Sequence, residues 1–163
     1  MIDAKHVFAD AAEVAAWLAP QKAAGKKVVT TNGCFDIIHA GHAQYLAEAA
    51  ACGDILVVGL NSDESVKRLK GPSRPLQSEN DRLEIMAAIR AVDAAFIFRE
   101  DDPRAFLEII RPDVHVKGGD YSADILERPV VESHGGTIKI LSFKDGRSTT
   151  GIVRKMSSAP EGK

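Results

Sequence analysis

The sequence has little cysteine, almost no net charge and no long apolar run. Cys34 and Cys52 are the only cysteines in 163 residues, too few for the disulfide framework that staples small secreted domains. Lys and Arg number 21 against 23 Asp and Glu, a formal charge of −2, so the chain lacks the basic excess that phosphate neutralisation on a nucleic-acid polymer requires. No segment approaches the roughly 20 apolar residues of a membrane span. The first residues, MIDAKHVFADAAEV, carry early acids and neither a basic nor an apolar leader region, so no export signal is expected and a cytoplasmic location is the default. Repeats, low-complexity linkers and breaks in composition are also missing.

What is present is a chain with 45% apolar and 27% charged residues, enough to bury one core at about 100–200 residues per domain. A single domain over 1–163 is expected, with an N-terminal helix at 10–24, a core at 26–156 and a frayed tail at 157–163. Short β-branched runs alternate with helical stretches, which predicts βαβ units and a doubly wound parallel sheet of five strands. Strands are read at 27–31, 54–60, 94–98, 113–119 and 137–143. Asp10 caps a first helix that Pro20 should end or kink. Further helices are read at 42–52, from Asn61 or Ser62 to Leu69, from the Ser78/Asp81 capping box to about residue 91, from Asp102-Pro103 to Ile110, around 123–132, and from Ser148 onward. Ligands of such sheets sit at the carboxyl ends of the strands, which directs attention to 31–42, 61–77, 117–121 and 144–150.

The loop Thr31-Asn32-Gly33-Cys34-Phe35-Asp36-Ile37-Ile38-His39-Ala40-Gly41-His42 lies where the first predicted strand hands over to a helix. A helix N-terminus offers free N–H donors and a positive dipole end to an anion, without any net basic charge on the protein. Gly33 and Gly41 allow close backbone approach, and His39 and His42 can donate to phosphoryl oxygens. Simpler readings compete. The histidines can be hydrogen-bonded core residues, and Cys34 and Phe35 can pack beneath the loop. The C-x4-H-x2-H spacing of Cys34, His39 and His42 also permits a metal reading, although it matches no standard zinc pattern.

TNGCFDIIHAGH resembles the HxGH signature of the nucleotidyltransferase superfamily that includes the cytidylyltransferases, and RSTTGIVRK resembles its second signature. Together with NSDESVKRLKGPSRP, VKGGDY and KDGRSTT, the pattern is most similar to the adenylyltransferase domains of ADP-heptose synthesis, over about Lys26 to Met156. The resemblance implies a Rossmann-like fold and transfer of a nucleotidyl group from ATP to D-glycero-β-D-manno-heptose 1-phosphate. It places His39, His42, Lys70 and Arg82 at the reacting phosphates, with Lys67 a poorer candidate than Lys70. It surrounds the nucleotide with Thr31, Asn32, Gly33, Cys34, Phe35, Asp36, Gly41, Lys117, Gly118, Asp120, Ser148, Thr149 and Thr150. Arg74 and Asp36 are implied at the sugar phosphate. Plainer roles stand beside these: a solvated helix-end Lys70, a surface ion pair for Arg82, a stiff turn around Arg74, ordinary capping by Ser148 to Thr150, and a local turn role for Asp36.

The resemblance also implies Mg²⁺ carried with ATP, a homo-oligomer, and a separate sugar kinase upstream, since family domains are often fused behind one. The alternatives are a cytidylyltransferase acting on glycerol 3-phosphate or a related alcohol phosphate, a nucleotide-sensing module without turnover, and a redox or metal module built on Cys34.

Overall fold

A strand covered on both faces reads as an unbroken apolar run, and DILVVGL supplies one in which every residue of the strand Ile55–Asn61 is buried. The computed structural model describes residues 6–119, 125–142, 151 and 153. In chain order the elements are β1 (His6–Phe8), α1 (Ala11–Ala23), β2 (Val28–Gly33), α2 (Ala40–Ala50), β3 (Ile55–Asn61), α3 (Asp63–Lys70), α4 (Glu79–Ala88), β4 (Ala94–Phe98), α5 (Arg104–Ile110), β5 (Val114–Gly118), α6 (Arg128–Ser133) and β6 (Thr137–Leu141). The strands form one sheet in the order β1-β4-β3-β2-β5-β6, parallel at each pairing. This is a Rossmann-like α/β fold.

Among the described residues the expectation of five strands is corrected to six. The added strand, β1, has three residues, two of them exposed, and so carries no readable periodicity. It is held by parallel pairing with β4 and by the Trp17 ring, whose centroid lies 4.6 Å from His6 and 5.4 Å from Phe8. Of the two readings of Pro20, the end of the helix is corrected, because α1 continues through it to Ala23, close to the expected 10–24. Tertiary contacts outweigh the lost N–H: Val14 and Leu18 are fully buried, and Lys22 Nζ donates to the Ile110 and Arg111 carbonyls at the end of α5. The helix expected around 123–132 is described at Arg128–Ser133. Of the last helix, Gly151 and Val153 are helical, while Ser148, Thr149 and Thr150 lie outside the described residues.

Local chemistry accounts for most helix starts. Asp10 accepts from the Ala12 and Glu13 amides at the head of α1. Ser62 accepts from the Ser65 amide at α3, and Ser78 from the Asp81 amide at α4, each relieving an orphan donor of a first turn. Alternate strand residues feed two cores. Val28, Ile55, Val57 and Phe96 pack with residues of α1, α5 and α6, and Val29, Leu56, Val58 and Leu60 pack with residues of α2 and α4. Among the described residues no helix is long and apolar enough to cross a membrane.

Candidate active site

From β2 the chain winds outward to β3 and β4, and from β5 it winds the opposite way to β6. The reversal between neighbouring β2 and β5 is the topological switch point, where the connections part and leave a crevice at the carboxyl ends. A cavity of about 530 Å³ opens there. Asn32, Gly33, Cys34, Phe35, Asp36, His42, Lys70, Arg74, Lys117 and Gly118 all line it, so the fold brings together ten of the residues singled out in the sequence. Asp120 and the Ser148–Thr150 cluster lie outside the described residues.

Four of the singled-out residues do not line the cavity. Thr31 is fully buried, and its hydroxyl meets Tyr45 Oη at 2.6 Å and the Val116 carbonyl at 2.9 Å. Arg82 has no exposed side-chain surface: Nη1 donates to the Cys34 carbonyl (2.6 Å), Nη2 to Asp63 (2.8 Å) and Nε to the Gln77 carbonyl (3.3 Å). The guanidinium therefore fastens the loop from behind, and the surface ion-pair reading of Arg82 falls with that burial. His39 and Gly41 form the head of α2, where His39 is the N-cap and its Nδ1 accepts from the Gly41 amide at 3.1 Å. An amide can only donate, so Nδ1 is the unprotonated nitrogen and Nε2 carries the proton.

The His39 and His42 rings stack with centroids 3.9 Å apart. Burial first, and the stacked His39 second, pull the His42 imidazole down to about 4, against a smaller opposing pull from the Ile37 backbone. His42 is thus neutral at pH 7, and a polyanion arriving beside it would favour the charged form. Phe35 packs edge-on to His42, with centroids 5.4 Å apart, and its backbone adopts a left-handed φ of +46°. For a bulky L-residue that conformation costs roughly 1–2 kcal/mol.

Asp36 is buried and accepts from the Leu76 and Gln77 amides at 2.8 and 3.0 Å and from Arg74 Nε. Burial would raise its carboxyl, but the two amides and Arg74 together hold it below the usual carboxylate range. The local turn role weighed for Asp36 is therefore replaced by a long-range one, the anchoring of the segment before α4. Lys117 Nζ donates to Glu127 at 2.6 Å in a pair that is nearly buried, with 15% and 7% of the side chains exposed. Burial pushes the Cys34 thiol up, with Lys70 and Arg82 pulling it back, so Cys34 is a poor nucleophile. Among the described residues no three His, Cys, Asp or Glu converge in a way that would hold a metal ion, and the Cys34/His39/His42 spacing does not make a metal cage.

Sequence reasoning missed Tyr45, Asp101, Asp102 and Glu127, and read Asn61 only as a helix cap within 61–77, although all five line the cavity. Asn61 and the Asp pair follow the carboxyl ends of β3 and β4, so their place in the topology was the signal that pointed to them. Glu127 sits nine residues past the end of β5, and no local pattern marks it. The resulting cavity carries charge of both signs on each side. Asp36, His42, Lys70 and Arg74 come from the β2–α2 and α3–α4 sides, and Asp101, Asp102, Lys117 and Glu127 from the β4–α5 and β5–α6 sides, with Arg74 paired to Asp36 and Lys117 to Glu127.

A family model described as cytidylyltransferase-like matches residues 30–154, from mid-β2 past the last described residue. The chain belongs to the cytidylyltransferase-like family. That places it among nucleotidyltransferase enzymes. It is 51% identical over 143 residues to the bifunctional protein HldE of Geobacter sulfurreducens, a match covering 87% of this chain and 29% of that protein. The bifunctional protein HldE of Azotobacter vinelandii is 50% identical over 139 residues, covering 85% and 29%. The chain thus spans about 29% of the length of these relatives. The crystal structure of a lipopolysaccharide core biosynthesis protein from Thermoplasma volcanium superposes with a TM-score of 0.62 at 33% identity, over 76% of this chain and all of that one.

Proposed function

We propose that the chain transfers the adenylyl group of ATP to D-glycero-β-D-manno-heptose 1-phosphate, forming ADP-heptose and pyrophosphate. A sugar-phosphate oxygen forms a bond to the α-phosphorus as the bond to the β-phosphate bridge breaks, and no protein nucleophile is needed. The observation that carries this reading is the pairing of His42 with a His39-capped helix N-terminus at a cavity that also holds Lys70 and Arg74. The stacked histidines and the helix head are in place before the substrates arrive, so they stabilise developing negative charge without reorganising. The identity with the HldE proteins and the likeness to a lipopolysaccharide core biosynthesis protein support the heptose acceptor.

In this proposal His39, His42 and Lys70 meet the triphosphate. Arg74, whose Nε is engaged by Asp36, faces the sugar phosphate. Asn32, Gly33, Cys34, Gly41, Lys117, Gly118 and Asp120 surround the nucleoside and α-phosphate, and Ser148, Thr149 and Thr150 take the outer phosphates. ATP would bring Mg²⁺ as the counter-ion of its triphosphate, which would neutralise charge on the phosphates. A kinase-type reaction must supply the sugar 1-phosphate, and the working unit is a homo-oligomer. The test is pyrophosphate release. It should require both ATP and heptose 1-phosphate and collapse in His39→Ala and His42→Ala. Full activity in both variants, or faster turnover with CTP and glycerol 3-phosphate, would overturn the assignment.

A further inference from the structure

We propose that Phe35 is a positioning residue for His42: the loop holds Phe35 in a left-handed backbone conformation so that its ring fixes where the His42 imidazole sits. The inference rests in part on the transfer reading above, because it assigns a role to a residue of the same site.

Three observations meet at this residue. Phe35 has φ +46°, a conformation that persists in a bulky side chain only where the surroundings over-determine it. Both flanking residues are pinned from outside the loop. The Cys34 carbonyl accepts from Arg82 Nη1, and the Asp36 carboxylate accepts from the Leu76 and Gln77 amides and from Arg74. With its other nitrogens on Asp63 and the Gln77 carbonyl, Arg82 acts through the loop and not on a ligand. Lastly, the clamped ring is 7% exposed and meets His42 edge-on. Gly33 leaves it that place, since a Cβ at position 33 would stand 3.1 Å from Phe35 Cε2.

The ring does more than fill space. An apolar edge against an imidazole removes water from one side and disfavours the charged form. His42 also meets the stacked His39 from its own helix; Cys34 and Asp36 from the loop before that helix, and Lys70, Arg74, Asp101, Asp102, Lys117 and Glu127 from elsewhere in the sheet's carboxyl edge, share the cavity lining. Loosening Phe35 should therefore change both the placement and the titration of His42 while leaving those groups in place.

The experiment is an NMR titration of the histidine ring protons in the ligand-free protein, with His42 assigned by the signal lost in His42→Ala. In Phe35→Leu the His42 midpoint should rise from about 4 by about one pH unit toward its ordinary value. The value of kcat should fall about tenfold, as displacement of a reacting group predicts, with KM for the nucleotide changed less than about threefold. Gly33→Ala, which displaces the ring without removing it, should move both readouts in the same direction, and it decides the question if Phe35→Leu does not fold. Folded variants whose His42 titrates as in the parent protein would overturn the proposal. Absence of transferase activity in the parent protein would instead count against the proposed function, while the titration still decides the role of Phe35.

Discussion

His42 stands at the cavity and His115 in the middle of β5, and burial pushes both imidazoles well below 6.5, His42 to about 4 and His115 to about 3. By that measure alone the core histidine is the more perturbed. It is wholly buried, with Nδ1 against the Thr30 hydroxyl at 2.8 Å and Nε2 without a partner among the described residues. His115 is not among the residues lining the cavity. His42 is less deeply buried, yet it has a ring stacked on one partner, a second ring at its edge, and open volume beside it. A depressed pKa thus reports lost water in both regions, and only the geometry around the ring separates a site from a core.

The comparison can be broken most forcefully at the cavity. His42→Ala should lower turnover on the order of 10²–10³-fold, the usual effect of removing one preorganised donor, while the thermal midpoint stays within a few degrees. A comparable loss from His115→Gln in protein that remains folded would erase the distinction.

Acid should reveal the core histidine instead. Its folded pKa lies below its unfolded value, so between pH 6.5 and about 3 the unfolded chain binds the extra proton. Stability from this group is complete above 6.5 and is lost as pH falls through that window, by up to about 1.4 kcal/mol per pH unit. His42 adds a loss of the same sign between 6.5 and about 4. Asp36, held below its ordinary 3.8, contributes stability that is complete above that value and is lost only as pH falls beneath it. Urea midpoints at pH 7 and pH 4.5 should therefore converge in His115→Gln relative to the parent protein, and an unchanged pH dependence would contradict the assignment.

The smallest effect is expected at Ser78, which caps the helix bearing Arg82. Ser78→Ala should cost about 1 kcal/mol, read as a lowered thermal midpoint. His42 should titrate as before, because the Arg82 bonds that hold the loop remain.

Most of the fold was legible because its signals are local. Periodicity marks β3 and α2, Ser62 and Ser78 announce α3 and α4, and AAFIF matches β4 residue for residue. What escaped depends on partners distant in sequence. β1 exists through β4 and Trp17, and α1 outruns Pro20 through Lys22 and α5. At the site, the loop and Lys70 were marked by residue type and position, but side-chain direction was not. Nothing in TTNGCFD says that Thr31 turns toward Tyr45 while Asn32 turns toward the cavity, and neither the phosphate role read for Arg82 nor its surface alternative anticipates a clamp that closes 48 residues of separation to Cys34.

The Lys117–Glu127 bond joins residues ten apart in the chain, and it closes the β5–α6 connection into a tied ring. Once both ends of a loop are fixed, the entropic cost of adding residues between them grows only as the logarithm of its length, about 0.6 kcal/mol per doubling. Insertions or deletions within 119–126 should then leave β5 and α6 in register.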